Sequence, residues 1–172
     1  MLIVGLAPEA HGGNRTGRIF TGDRSGDWLF GSLFRTGWSN QPQSRHAGDG
    51  LRLHGAFVSA AVRCAPPANK PTVEERDTCR RYLVAEMRML RALRAVVALG
   101  AFAWDAVLRA SADLGEAPPR PRPAFGHGAE VPLGRLTLIG SYHPSQQNTF
   151  TGRLTEEMLD GVFGAARRVV AG

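Results

Sequence analysis

Four short apolar runs alternate with helical segments along this chain, and this alternation limits the fold more than any other feature of the sequence. Each run has the length of a strand and is followed by a loop and then by apolar residues at helical spacing; the runs comprise residues 1–6, 56–62, 95–99 and 136–140. Strands separated by helices predict a parallel sheet covered on both faces. The sequence therefore predicts an α/β fold, a three-layer α/β/α sandwich around a central, mostly parallel four-stranded sheet.

Capping signals indicate where the helices begin. Ser25 is expected to cap the first helix, and Thr72 with Glu75 forms a capping box for a long helix. Thr155 is expected to start the C-terminal helix, with acidic residues in its first turn. At 172 residues the chain is expected to form one domain, residues 1–172. The loops after the first, second and fourth strands should meet at one edge of the sheet.

The loop after the first strand combines glycines with cationic and polar side chains. Small residues allow close backbone approach, and Arg15 and Arg18 supply fixed positive charge, a mixture that suits a polyanion. The loop lacks the G-x-G-x-x-G order of a dinucleotide-binding fold. Gly12 and Gly17 have the spacing of a phosphate loop, but Arg18 and Ile19 occupy the positions where that loop needs Lys and Ser/Thr. Both nucleotide-binding motifs are therefore excluded.

The formal net charge is +6 at pH 7, and arginine supplies nearly all of the positive charge, since Lys70 is the single lysine. A basic surface favours a nucleic-acid or other polyanionic partner. The same arginine bias can arise from the base composition of a genome. The sequence contains no run of about 18 apolar residues, so it predicts no membrane span. Met1 leads directly into strand-like sequence, so we expect no signal peptide and a cytoplasmic protein.

A second long polar loop follows the fourth strand, and the two loops together resemble the uracil-DNA glycosylase superfamily, most closely family 5, the type-5 enzymes. The matching stretches are residues 5–23, which run from Gly-Leu-Ala-Pro to Phe-Thr-Gly-Asp, then 63–71, and 143–155, which begin with His-Pro-Ser. The resemblance covers nearly the whole chain. It implies hydrolysis of the N-glycosidic bond of uracil in DNA, which leaves an abasic site. Other deaminated bases such as hypoxanthine or xanthine are included in the expectation.

The resemblance implies roles for three residues at the reacting bond. His143 is expected to donate a hydrogen bond to the departing base, although a loop-end histidine can also be purely structural. Asn14 matches the position that orients the attacking water, where some members carry Asp. Ala7 stands where better-known glycosylases have a polar catalytic side chain. Such a site would depend on donors aimed at the departing base more than on a strong base.

Three further residues are expected near the base. Phe20 is interpreted as a stacking platform for the extruded base, with ordinary core packing as the alternative. Ser59 aligns with a base-reading position on the second strand, and a hydroxyl there would relax base choice; the alternative is a core serine bonded to backbone. His11 either lines the pocket or bonds the loop backbone, and the sequence does not separate these alternatives.

Contacts with DNA are expected from both loops. The candidates for phosphate contacts are Arg15, Arg18 and Arg153. Three polar residues lie where the superfamily inserts a loop into the minor groove: Gln146, Gln147 and Asn148. Because apolar side chains are the more usual wedges, the sequence does not decide which of the three inserts. The expected partner is DNA that contains uracil or another deaminated base, and the chain is expected to be a monomer that does not bind membranes.

The resemblance also implies a [4Fe-4S] cluster held by four cysteines. Cys64 and Cys79 match the second pair and are the only two cysteines of the chain. The first pair belongs upstream of the first strand, where this sequence begins. Either the start was assigned late or the protein has lost its cluster segment, and we expect the first, so that an N-terminal cluster-binding segment is missing from this sequence. An alternative function follows, a folded but inactive DNA-binding remnant without an intact cluster. A third function, a nucleotide hydrolase of another α/β family, has little support because the phosphate-loop motif does not match.

Overall fold

A computed structural model describes residues 1–172 and contains one five-stranded sheet. The strands are β1 (Leu2–Gly5), β2 (Phe57–Ala60), β3 (Ala95–Leu99), β4 (Glu130–Leu133) and β5 (Leu136–Ser141), in the order β2-β1-β3-β5-β4. Four strands are parallel, and β4 pairs antiparallel with β5. The α/β sandwich is confirmed, while the prediction of four strands is corrected to five.

Six helices surround the sheet, and none is both long and apolar enough to cross a membrane. They are α1 (Gly13–Thr16), α2 (Arg24–Arg35), α3 (Val73–Met89), α4 (Ala101–Asp113), α5 (Gln146–Phe150) and α6 (Glu156–Ala171), with a 3-10 turn at Pro67–Asn69. Helices α3 and α4 pack together on one face of the sheet, and α2 and α6 on the other. The short helices α1 and α5 lie in the two loops that the sequence singled out.

Side chains of the central strands β1, β3 and β5 are divided between two hydrophobic cores, as the pleat requires. Leu2 and Val4 of β1 join the core under α3 and α4, whereas Ile3 between them joins the core under α2 and α6. All three are fully buried. Because both faces of the central strands are covered, the site must lie at an edge of the sheet.

The two outer strands differ from the prediction for a physical reason. Strand β4 was not predicted because it is short, mostly exposed and contains Pro132, which is tolerated at a sheet edge. Strand β2 is shorter than the predicted residues 56–62 and is not buried on both faces, since it forms the other edge and its Phe57 is 43% exposed.

The helix caps are mostly as predicted. The Thr72–Glu75 capping box is present, and the Thr155 hydroxyl accepts a hydrogen bond from Met158 N–H. The expected cap at Ser25 is wrong: the cap of α2 is Asp23, two residues earlier, and its carboxylate accepts a hydrogen bond from Gly26 N–H at 2.7 Å.

A cluster of ion pairs, here called the α3–α4 ion cluster, covers the outer surface of these two helices. Arg76 is 5% exposed and pairs with Asp105, which also binds Arg109 and Arg122. At its margin Arg80 and Asp113 pair at 2.8 Å. Most of the positive charge of this face is therefore matched by carboxylates.

Candidate active site

A small cavity lies at the carboxyl edge of the sheet, where the loops after β1, β2 and β5 meet. Its lining includes Ala7, Glu9, Phe20, Asp23, Asn69 and His143. Open α/β sheets bind ligands at this edge. The cavity of about 30 Å³ has room for about two water molecules, so a base can enter only if side chains at its mouth move. Larger cavities of about 390 and 490 Å³ lie elsewhere, but neither contains a histidine or a carboxylate.

His143 is held at the end of β5 by its own loop. The Asn148 side-chain amide donates to the His143 carbonyl at 2.9 Å, which closes the loop around the histidine. The imidazole lies against Phe20, with ring centroids 5.7 Å apart. Burial lowers the pKa of His143 to about 4. The imidazole is therefore neutral at pH 7 and can donate one N–H.

Phe20 is 6% exposed and has a left-handed backbone, with φ at 60°. Two glycines make room for it. A Cβ at Gly5 would lie 2.7 Å from the ring carbon Cε2, and a Cβ at Gly26 would overlap the Phe20 carbonyl oxygen. The strained backbone and the two close approaches fix the ring beside His143.

Two carboxylates that the sequence analysis did not single out lie in the same cavity. Asp23 caps α2, and burial raises the pKa of its carboxyl, an effect that the nearby charges of Glu9 and Asp27 reinforce. Glu9 lines the cavity beside it. The position of Asp23 before a helix indicates a cap. No local sequence pattern indicates that Asp23 lines the same cavity as His143. The cavity thus combines a neutral imidazole with two acidic groups.

The first loop separates the residues that the sequence grouped together. Ala7 lines the cavity as expected. Asn14 and Arg15 lie exposed on α1, outside the cavity lining, and Arg15 donates to the His11 carbonyl. His11 is itself exposed.

Arg18 is used within the chain. Its guanidinium pairs with Asp49 at 2.8 Å and also donates to Ser44 and to the carbonyls of His46 and Ala47. These partners hold the loop before β2 against the first loop. Such a saturated guanidinium has few donors left for a phosphate.

Ser59 is fully buried, and its hydroxyl donates to the Glu86 carboxylate of α3 at 2.6 Å. Arg63 binds the same carboxylate at 2.6 Å. The hydroxyl therefore points into the layer under the sheet, and Ser59 is not part of the cavity lining.

The loop after β5 presents aromatic and cationic groups at the rim of the cavity. Gln146 and Gln147 are exposed, whereas Asn148 is partly buried by its bond to the His143 carbonyl. Phe150, which the sequence analysis did not single out, is 68% exposed, and the Arg24 guanidinium lies 5.2 Å from its ring centroid.

Arg153 lies on an aromatic stack behind this rim. Its guanidinium is 4.6 Å from the Tyr142 ring centroid, and His127 stacks on Tyr142 at 5.0 Å. The exposed guanidinium is thereby oriented without a carboxylate partner, which leaves its charge available to a polyanion.

The two cysteines do not by themselves form a cluster site. Cys64 is exposed in the loop after β2, and Cys79 is buried in α3. No group of three or more His, Cys, Asp or Glu side chains is close enough to hold a metal ion. A [4Fe-4S] cluster requires four thiolates, so the residues present supply at most half of the ligands.

Comparison with known proteins identifies the family of the chain. A family model described as the uracil DNA glycosylase superfamily matches residues 1–166. The chain is similar to a type-5 uracil-DNA glycosylase of Mycobacterium bovis, with 54% identity over 171 residues, 98% of this chain and 62% of that protein. A type-5 uracil-DNA glycosylase of Thermus thermophilus is 49% identical over 170 residues, 98% of this chain and 75% of that protein.

The chain belongs to the uracil DNA glycosylase superfamily. Its resemblance to the type-5 enzymes is confirmed, and a type-5 enzyme of Mycobacterium leprae is a further relative with 52% identity over 171 residues. The chain spans 62% of the length of the Mycobacterium bovis relative.

Proposed function

We propose that this chain is a uracil-DNA glycosylase that hydrolyses the N-glycosidic bond of uracil in DNA and leaves an abasic site. The observation that carries the proposal is the neutral imidazole of His143 packed against Phe20 at the carboxyl edge of the sheet. An enzyme that acts on a base must take it out of the duplex into such a pocket. The type-5 relatives carry this activity in their names.

Bond cleavage places negative charge on the base and positive charge on the sugar. His143 donates a hydrogen bond to a base oxygen, and the bond strengthens as that oxygen becomes anionic. Because burial lowers the pKa of His143 to about 4, the donor is neutral at pH 7 and needs no proton from solvent. Phe20 supplies the flat surface on which the base lies.

The positive charge on the sugar meets the acidic side of the cavity. Glu9 and Asp23 supply negative charge there. This charge takes the place of the polar catalytic side chain that better-known glycosylases carry at the position of Ala7. The role of Asn14 in orienting the attacking water rests on the family motif, since Asn14 is not part of the cavity lining. Its backbone N–H donates to the Glu9 carbonyl at 2.9 Å, which ties α1 to the acidic side of the cavity.

DNA contacts come from the rim. The guanidinium groups of Arg15, Arg24 and Arg153 bind phosphates, and exposed Phe150 inserts as a wedge into the duplex beside the extruded nucleotide. Arg18 braces the loops instead, because its donors are taken by Asp49 and its neighbours. Gln146 and Gln147 lie exposed at the rim of the cavity and contact the DNA strand.

The [4Fe-4S] cluster is a separate proposal. Cys64 and Cys79 would contribute two thiolates, and the other two would have to come from residues outside this sequence. Such a cluster would join the loop after β2 to α3. No step of the reaction is routed through it.

Release of free uracil from a duplex with one uracil tests the proposed function directly, with a thymine duplex as the control. The proposal predicts free uracil and an abasic site that alkali converts into a strand break. Binding of the duplex without release of uracil would instead identify the chain as an inactive DNA-binding remnant.

A further inference from the structure

We propose that His127 is a positioning residue that fixes the backbone beside His143, a role that rests on the proposed function. His127 lies between α4 and β4, and its ring nitrogen Nδ1 accepts a hydrogen bond from the Tyr142 N–H at 3.1 Å. Tyr142 directly precedes His143. Because His127 is not part of the cavity lining, it acts on His143 through the backbone and does not contact the base.

The His127 side chain extends the pairing between β4 and β5 towards the site. The Gly140 N–H donates to the Ala129 carbonyl at 2.9 Å, and the Gly140 carbonyl accepts from the Gly128 N–H at 2.8 Å. Every second residue of a strand bonds the same neighbouring strand, so the next N–H on this side belongs to Tyr142. The imidazole of His127 accepts from it in place of a backbone carbonyl.

The segment that carries His127 packs directly on β5. A Cβ at Gly140 would overlap the Gly126 carbonyl oxygen and would lie 3.2 Å from the Trp104 ring, so this close approach requires glycine. The His127 ring also stacks on the Tyr142 ring, with centroids 5.0 Å apart and an angle of 27° between the planes. Backbone packing and ring stacking together hold Nδ1 opposite the Tyr142 N–H.

The backbone on both sides of the His143 ring is held by a side chain. His127 accepts from the Tyr142 N–H, and the Asn148 amide donates to the His143 carbonyl at 2.9 Å. Packing on Phe20 orients the ring itself. Without His127, one of the two side-chain anchors is lost, and a shift of about 1 Å in a catalytic group can cost about 100-fold in rate. We therefore expect His127 to affect the chemical step more than the binding of DNA.

The hydrogen bond requires one particular form of the His127 ring. Because Nδ1 accepts, the neutral ring carries its proton on Nε2. Burial lowers the pKa of His127, and a backbone hydrogen bond at Met158 opposes this effect. NMR spectra of the imidazole nitrogens in the parent chain at pH 7 should show a protonated Nε2 and an unprotonated Nδ1. A proton on Nδ1 would overturn the proposal, and this measurement needs no substitution.

Two substitutions separate the hydrogen bond from the packing of the ring. His127→Leu removes the acceptor but keeps an apolar side chain, whereas His127→Asn keeps an acceptor oxygen near the place of Nδ1. We expect His127→Leu to lower the single-turnover rate of uracil release about 10-fold with the Kd for the duplex within about 3-fold, and His127→Asn to keep the rate within about 3-fold of the parent. His54→Leu, at an exposed histidine, is the control. A parental rate in His127→Leu, or an equal loss in His127→Asn, would overturn the proposal.

Hydrogen exchange of the Tyr142 amide tests the positioning role without chemistry. The Tyr142 N–H should exchange about 10-fold faster in His127→Leu than in the parent, and at the parental rate in His127→Asn, because a lost hydrogen bond exposes the amide. These differences are expected even if the parent releases no uracil, in which case only the proposed function fails. Equal exchange of this amide in all three proteins would contradict the role of His127.

Discussion

The rim of the cavity and the α3–α4 ion cluster both carry arginines, but the two regions use them differently. In the ion cluster, Arg76 and Arg122 bind Asp105. At the rim, Arg24 lies on Phe150 and Arg153 lies on Tyr142, and both cations face solvent. The difference shows that net charge alone does not locate a DNA-binding surface. What identifies the rim is positive charge that no carboxylate neutralises.

The largest expected effect belongs to His143. His143→Ala removes the donor to the departing base, so the single-turnover rate of uracil release should fall about 100- to 1000-fold, while the Kd for the duplex changes less than about 3-fold. His54→Ala, at an exposed histidine far from the cavity, is the control. Equal losses in rate and affinity would show that His143 only positions the DNA.

The same histidine should make stability depend on pH. Its pKa is near 6.5 in the unfolded chain and about 4 when folded, so between those values the unfolded state binds more protons. The free energy of unfolding should therefore be highest above pH 6.5 and fall by roughly 2 to 3 kcal/mol as pH drops from 6.5 to 4. Urea unfolding of the parent and of His143→Gln at several pH values measures this dependence. The variant should lose the part of the pH dependence that His143 contributes. The same pH dependence of the free energy of unfolding in both proteins would contradict a buried neutral His143.

The ion cluster should matter for stability and not for DNA. Asp105→Ala leaves the buried Arg76 guanidinium without its main partner, so the free energy of unfolding should fall by about 2 kcal/mol. Asp113→Ala breaks a more exposed pair and should cost less than about 0.5 kcal/mol. Urea titrations of both variants test the difference. A loss of DNA affinity in folded Asp105→Ala protein would contradict the view that the ion cluster serves stability and the rim serves DNA binding.

Phe150 should matter only when the base is paired. Phe150→Ala should slow uracil release from a duplex about 10-fold and leave release from a single strand within about 2-fold, because only the duplex must be opened. Phe34→Ala is the matched control, since Phe34 is 46% exposed on α2. If both substrates lose activity equally, Phe150 does not act on the duplex.

The smallest expected effect is on phosphate binding. Arg153→Gln should weaken duplex affinity about 3- to 10-fold and reduce the salt dependence by about one charge, because one phosphate contact is lost. Arg122→Gln, whose charge is already paired with Asp105, should leave the affinity within about 2-fold of the parent. Fluorescence anisotropy over a range of salt concentrations measures both. Equal losses would show that matched and unmatched arginines bind DNA alike.

Local sequence patterns were sufficient for much of the fold and for part of the site. Apolar runs located the central strands, and the capping box located α3, because those signals act between near neighbours. The loops at the carboxyl ends of β1 and β5 brought Ala7, Phe20 and His143 together, as expected for one sheet edge.

The remainder of the site depends on contacts between distant residues. Arg18 binds Asp49 and Ser59 binds Glu86, 31 and 27 residues away, and no local pattern indicates either pairing. Asn69 enters the cavity only because a proline-rich loop folds back over the sheet edge. Side-chain partners set by the tertiary fold therefore account for what the sequence did not predict.

Hydrogen exchange on the complex with a uracil-containing duplex tests most directly whether DNA meets the carboxyl edge. We expect slower amide exchange in residues 6–23, 66–71 and 142–153, and no change over the outer face of α3 and α4. Protection concentrated on α3 and α4, with the three loops unchanged, would contradict the assignment of the site.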